Sequence, residues 1–130
     1  MEAGDIKDWS SYESIEAYIE SDDLSYYETK QRAQSVVEEL RIKADLAHKN
    51  EILKVRKTYQ LLKRDMPNSV FPKRESIVIE HTNNEYKYWK KQIEAKRELV
   101  IEEYMGGSGA YYAANMLEIK EILKRINNYF

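Results

Sequence analysis

Apolar side chains recur along most of this chain at alternating steps of three and four residues, the spacing that places them on one face of an α-helix. The longest unbroken series lies near the C-terminus: Tyr112, Met116, Ile119, Leu123, Ile126 and Phe130. A helix with this heptad pattern buries its apolar stripe against other helices. The pattern therefore predicts that the C-terminal segment folds back onto the preceding chain.

The stretch from Ser25 to Asp65 contains no proline and no glycine, which predicts one long helix. Two apolar series lie in it, namely Ala33, Val37, Leu40 and Ala44, followed by Ile52, Val55, Tyr59 and Leu62. Joining the two series requires two consecutive steps of four residues through His48, an irregularity of the stutter type. We therefore expect His48 to lie at or near the seam.

The proline-containing segment 66–72 is predicted to end the first long helix, because proline disfavours helical geometry in the residue before it. A second long helix is predicted after this segment. A capping-box pattern at Thr82 favours a helix from about Asn83 to Met105. An earlier start near Glu75 stays open, and the β-branched segment 76–79 is also compatible with an extended conformation.

The N-terminal segment 1–23 is acidic, with eight carboxylate side chains against one lysine. Helical spacing of apolar residues and a capping box at Ser10 predict a short amphipathic helix from about Ser11 to Ser21. We expect this helix to pack across one end of the protein's own bundle. The alternative is a docking peptide for another protein.

Three of the four glycines fall within Gly106–Gly109, between two helical segments. One interpretation is a natural glycine C-cap and turn. The other is an artificial flexible linker, which would make the C-terminal helix a fused segment of a binding partner. The predicted organisation is an acidic segment 1–23, a helical hairpin 24–105, a hinge 106–109 and a C-terminal helix 110–130.

These elements together predict an all-α fold. A long antiparallel helical hairpin carries the C-terminal helix packed back on it, forming a three-helix coiled-coil bundle with an additional short N-terminal helix. The composition agrees, because 34% of residues are charged while the formal net charge is only -2, a balance typical of long helices and coiled coils.

Residues suited to catalysis or metal binding are sparse. The chain has no cysteine, which excludes disulfides and thiolate ligands, and neither His48 nor His81 has a second ligand at helical spacing of the kind that a zinc-binding helix needs. The glycine cluster lacks the lysine of a phosphate-binding loop. We therefore expect a nonenzymatic protein without cofactor or metal.

No apolar run reaches the roughly 20 residues that span a bilayer, and the first residues lack the basic and apolar regions of a signal peptide. We expect an intracellular protein of the cytoplasm or nucleus, with no membrane partner.

The sequence favours a noncatalytic protein–protein interaction module, a coiled-coil scaffold or adaptor subunit of an intracellular complex. Its partner would be another protein or a second copy of the chain, bound through helices. In this interpretation the C-terminal apolar series anchors in a groove, and the predicted groove residues are Val37, Leu40, Val55, Tyr59, Leu62, Ile93 and Val100. Some of the 11 tyrosines lie on other helix faces and must meet a partner or water.

The alternative is a helical nucleic-acid-binding or regulatory protein that uses the basic segment 43–64. Its candidate phosphate-binding side chains are Lys49, Arg56, Lys57 and Lys63. Lys49, Arg56 and Lys63 also repeat every seven residues beside the apolar seam, where coiled coils place interhelical charges. We favour the structural interpretation because the chain as a whole is slightly acidic.

Overall fold

The all-α prediction is confirmed. The computed structural model describes residues 6–21, 23–107 and 109–128, with the backbone alone at Asn128, and these ranges contain helices and turns but no β-strand. The elements are α1 (Tyr12–Ile19), α2 (Tyr26–Asp65), a 3₁₀ turn (Phe71–Arg74), α3 (Glu75–Glu103) and α4 (Ala110–Asn128). They divide into two compact units, the first comprising 1–44 and 93–130 and the second 45–92.

Serine side chains cap the first two helices. At α2, Ser25 Oγ accepts a hydrogen bond from the Glu28 amide at 3.2 Å and donates to Glu28 Oε1 at 3.1 Å, which is the geometry of a capping box. At α1 the predicted cap is wrong by one residue. Ser11 Oγ accepts from the Ser14 amide at 3.2 Å, whereas the Ser10 hydroxyl donates to Asp8 Oδ1 at 2.6 Å.

Helix α3 begins at Glu75, the earlier of the two predicted starts. The 3₁₀ turn leads directly into it, and segment 76–79 is helical rather than extended. The capping box at Thr82 is therefore wrong. The Thr82 hydroxyl instead donates to the Val78 carbonyl at 2.8 Å, the backward bond that threonine makes inside a helix.

In the first unit, α1 lies along α4 and α2 rather than across one end, which corrects the expected position. Its contacts with α4 run antiparallel, from Tyr112 Oη donating to Glu20 Oε1 (2.7 Å) to Asn127 Nδ2 donating to the Ser10 carbonyl (2.9 Å). Arg32 Nη1 donates to the α1 carbonyl of Tyr18 at 2.7 Å. The acidic helix thus contributes a full face, with Ile15 and Ile19 among the buried residues.

Helix α4 folds back into the first unit as predicted. Met116, Ile119 and Leu123 are buried, while Tyr112 and Ile126 are half-buried. Phe130 lies outside the described residues. Ion pairs from α3 to α4 join Lys96 to Glu121 (3.4 Å) and Arg97 to Glu118 (3.0 Å), so the two helices run antiparallel.

A tight turn ends α3. Met105 and Gly106 both adopt positive φ, 53° and 68°, and the Gly106 amide donates to the Ile101 carbonyl at 3.0 Å. A Cβ on Gly107 would lie 3.1 Å from the Tyr104 carbonyl oxygen. This is the geometry of a glycine C-cap, so at least Gly106 has a structural role in ending α3.

The second unit is an antiparallel hairpin of α2 from Asp45 onward and α3 as far as Gln92. Pairs along it join His48 to Asn83 and Lys63 to Glu75. The predicted seam residues here stay half-buried: Ile52, Val55, Tyr59 and Leu62. Within this unit each helix has only one neighbouring helix, which covers one side of it.

Candidate interaction surfaces

The predicted groove residues fall into different units. Val37, Leu40 and Ile93 are buried and Val100 is half-buried in the first unit, which also contains α4. The remaining groove residues belong to the second unit and are Val55, Tyr59 and Leu62. The partner-binding role of both sets stays a prediction.

A buried carboxylate organises the polar contacts of α4 in the first unit. Glu118 has only 5% of its side chain exposed and accepts two hydrogen bonds from Arg41, at 2.6 and 2.8 Å, and one from Arg97, at 3.0 Å. Arg97 also donates to Asn115 Oδ1 at 2.8 Å. These bonds to Glu118 raise the pKa of the Arg41 guanidinium, against the opposing effect of its partial burial.

This cluster was missed at the sequence level, since a glutamate one position before Ile119 resembles any helical surface charge. A pocket of about 250 Å³ lies beside the cluster and includes Glu38 and Tyr111 in its lining. Because Arg41 and Arg97 already share Glu118, and Glu38 adds a further carboxylate, the pocket has no surplus positive charge to hold an anion.

Two tyrosines lie at the contact between α1 and α4: Tyr112 Oη donates to Glu20, and Lys120 Nζ lies 4.8 Å from the centre of the Tyr12 ring. Burial, together with the hydrogen bond to Glu20, raises the pKa of Tyr112 well above its usual value. Burial and a hydrogen bond to Glu16 raise the pKa of Tyr12 to about 12. Both phenols therefore remain neutral hydrogen-bond donors far into the alkaline range.

His48 lies at the seam of the second unit, as predicted. Its Nε2 is 2.8 Å from Asn83 Oδ1 and its ring stacks on Tyr86 at a centroid distance of 4.3 Å. The Tyr86 hydroxyl donates to the Asp45 carboxylate, and Lys90 Nζ lies 5.1 Å from the centre of the same ring. This is a hydrogen-bonded aromatic core.

The second histidine, His81, is exposed and lies in the same unit. Among the residues that the structure describes, no three histidine or carboxylate side chains are grouped to hold a metal ion.

The candidate phosphate-binding side chains are used in different ways. Arg56 and Lys63, two of the three cations at heptad spacing, pair with Glu75 on α3 at 4.0 and 2.7 Å. They line an open groove of about 810 Å³ together with Lys73 and the half-buried Glu75. Lys49 and Lys57 are exposed elsewhere on α2.

The second unit also exposes leucines that the sequence analysis did not single out. Leu46, Leu53 and Leu61 are 52%, 60% and 45% exposed, and they follow each other at steps of seven and eight residues. At about 100° per residue this spacing places them together on the side of α2 opposite the half-buried seam. We define the α2 outer face as Leu46, Lys49, Leu53, Lys57, Leu61 and Arg64, all of which are exposed.

No known protein family, curated protein or solved structure matches the chain. Within the described ranges, none of the helices combines the length and the apolar character needed to cross a bilayer.

Proposed function

We propose that the protein is a noncatalytic interaction module, a coiled-coil scaffold or adaptor subunit of an intracellular complex. The observation that carries the proposal is the burial of the α4 stripe in the first unit, where Ile119 and Leu123 are 0% and 4% exposed. A helix that buries such a stripe between other helices uses the contacts of helix-in-groove recognition. If the Gly106–Gly109 segment is a linker, α4 is the helix of the bound partner.

The Glu118 cluster supports a selective groove. An amphipathic helix without a carboxylate at this position would leave Arg97, whose side chain is only 19% exposed, without its charged partner. Unpaired buried charges are strongly unfavourable, so complementary charges fix register and exclude wrong partners. The apolar stripe of α4 thus holds the helix in the groove, and Glu118 fixes its orientation there.

Cleavage between α3 and α4 tests this proposal. A protease site placed within Gly106–Gly109 of the full chain would be cut, and the products would be passed over a size-exclusion column. We expect the α4 fragment to remain with the rest of the protein, and Leu123→Asp to release it. Lys124→Asp is the matched control, because Lys124 is the next residue but its side chain is 71% exposed.

The proposal is wrong if α4 separates from the wild-type protein on cleavage, or if it stays bound in the Leu123→Asp variant.

The nucleic-acid alternative has weaker support. Arg56 and Lys63 are already paired with Glu75, which leaves Lys49 and Lys57 as the remaining candidates. The affinity for a nucleic-acid backbone would fall steeply between about 50 and 200 mM salt, whereas the affinity of an apolar groove for its helix would not.

A further inference from the structure

We propose that the α2 outer face docks an acidic amphipathic helix of another protein. This inference rests on the proposed function and adds the chemistry of a partner, at a surface separate from the α4 groove.

The α2 outer face has the length and spacing to receive one helix. From Leu46 to Leu61 the outer face extends over about 22 Å at 1.5 Å per residue, or roughly four helical turns. Leu53, at its centre, is 60% exposed. A row of leucines at heptad-like spacing matches the apolar stripe of one straight helix, whose knobs insert between such side chains.

The α2 outer face also carries positive charge. The charged residues of this face are Lys49, Lys57 and Arg64, and none of its six residues is an aspartate or glutamate. The one carboxylate in the stretch 46–64, Glu51, is half-buried and lies on another side of α2. Arg64 lies 2.9 Å from the exposed Asp65, at the end of the helix. In helix pairs, the residues flanking the apolar seam form the interhelical ion pairs. The complementary partner is therefore a helix with leucines in its stripe and glutamates beside it.

The leucines also decide between a carboxylate-bearing partner and a phosphate-bearing one. A nucleic-acid backbone would satisfy Lys49 and Lys57 but would not cover Leu53 and Leu61 with apolar surface. An amphipathic helix would remove these leucine side chains from water, and this burial of apolar surface favours binding.

The test uses the full chain and a fluorescently labelled synthetic helical peptide with leucine at heptad positions a and d and glutamate at e and g. A matched peptide carries lysine at e and g. Anisotropy titrations should show binding of the glutamate peptide and at least about tenfold weaker binding of the lysine peptide. Lys57→Glu should reduce this preference, because it reverses one charge on the face.

Leu53→Ser should weaken binding of the glutamate peptide about tenfold. Leu99→Ser is the matched control, since Leu99 is also 60% exposed but lies in the first unit. The affinity of the Leu99→Ser variant for the glutamate peptide should equal that of the wild type.

The inference is overturned if the two peptides bind equally or Leu53→Ser has no effect. It is also overturned if a duplex DNA of about 20 base pairs binds the protein and its affinity is lowered by Lys57→Glu but unchanged by Leu53→Ser. Self-association that Leu53→Ser abolishes would make the occupant a second copy and would equally overturn it. If the peptide titrations fail but α4 stays with the rest of the protein after cleavage, the inference is wrong and the proposed function still stands.

Discussion

Arg41 and Glu118 are 77 positions apart in the chain, yet two hydrogen bonds of 2.6 and 2.8 Å join them. Arg97 donates to the same carboxylate at 3.0 Å. One buried side chain of α4 therefore connects α2 and α3 in the first unit. Its two donors arrive from different helices, so the cluster defines the rotation of α4 as well as its position.

Glu118→Ala should lower the free energy of unfolding by about 3 kcal/mol, because it removes the partner of the largely buried Arg97. Urea denaturation followed by circular dichroism would measure the loss. Glu38→Ala is the control, since this exposed carboxylate is near Arg41 and its loss should cost less than about 1 kcal/mol. Equal denaturation midpoints for both variants would contradict a structural role of the cluster.

Two substitutions in the turn after α3 should have different effects on stability. Gly106→Ala should lower stability by about 1 kcal/mol, because Gly106 has a φ of 68° that an L side chain disfavours. Met105→Gly should not lower it. Met105 also has a positive φ, of 53°, and is 92% exposed, so little packing is lost.

Thermal unfolding of the two variants beside the wild type would measure both effects. A lower stability of Met105→Gly than of Gly106→Ala would contradict the left-handed geometry of this turn.

The features of the fold that could be predicted from the sequence are those that depend on the periodic spacing of apolar residues. The fold-back of α4 followed from its heptad series, because burying that stripe requires a neighbour whatever its identity. Local hydrogen bonds were less predictable. Ser10 and Ser11 can both cap a helix, and Thr82 matches a capping pattern although it can equally bond backward to Val78.

The polar cluster and the outer face could not be predicted for a different reason. Glu118 becomes buried only because α2 and α3 present arginines to it, and the relative rotation of three helices is not contained in the spacing of any one. The spacing of Leu46, Leu53 and Leu61 was visible, but their exposure depends on which side of α2 meets α3.

In the second unit, Tyr86→Phe should lower stability by about 1 kcal/mol through loss of the hydrogen bond to Asp45. The effect is modest because the Asp45 side chain is 54% exposed and water can replace the phenol. Hydrogen exchange of amides in residues 45–92 would report the change. The control is Tyr88→Phe, at an exposed position on the same helix, which should leave exchange unchanged.

Equal exchange in the Tyr86→Phe variant and the wild type would show that the aromatic stack on His48 holds the hairpin without this hydrogen bond.

Alkaline pH should weaken the contact between α1 and α4. An unfolded tyrosine ionises near pH 10, whereas the pKa of Tyr12 is raised to about 12 and that of Tyr112 is raised further still by burial and Glu20. The folded chain therefore keeps protons that the unfolded chain releases, so the free energy of unfolding falls as the pH rises above about 10. Below that pH the contribution is fully present.

Urea midpoints measured at several pH values from neutral to strongly alkaline would give this slope. Tyr12→Phe and Tyr112→Phe should each flatten it, because phenylalanine has no proton to lose. Asn127→Ala is the discriminating control, since it removes a different α1–α4 hydrogen bond, the one to the Ser10 carbonyl, without removing a titrating group. It should lower stability by a similar amount at every pH. If Asn127→Ala flattened the slope as much as Tyr112→Phe, the alkaline loss would come from general loosening of α1, and the raised pKa values of the two phenols would not be its cause.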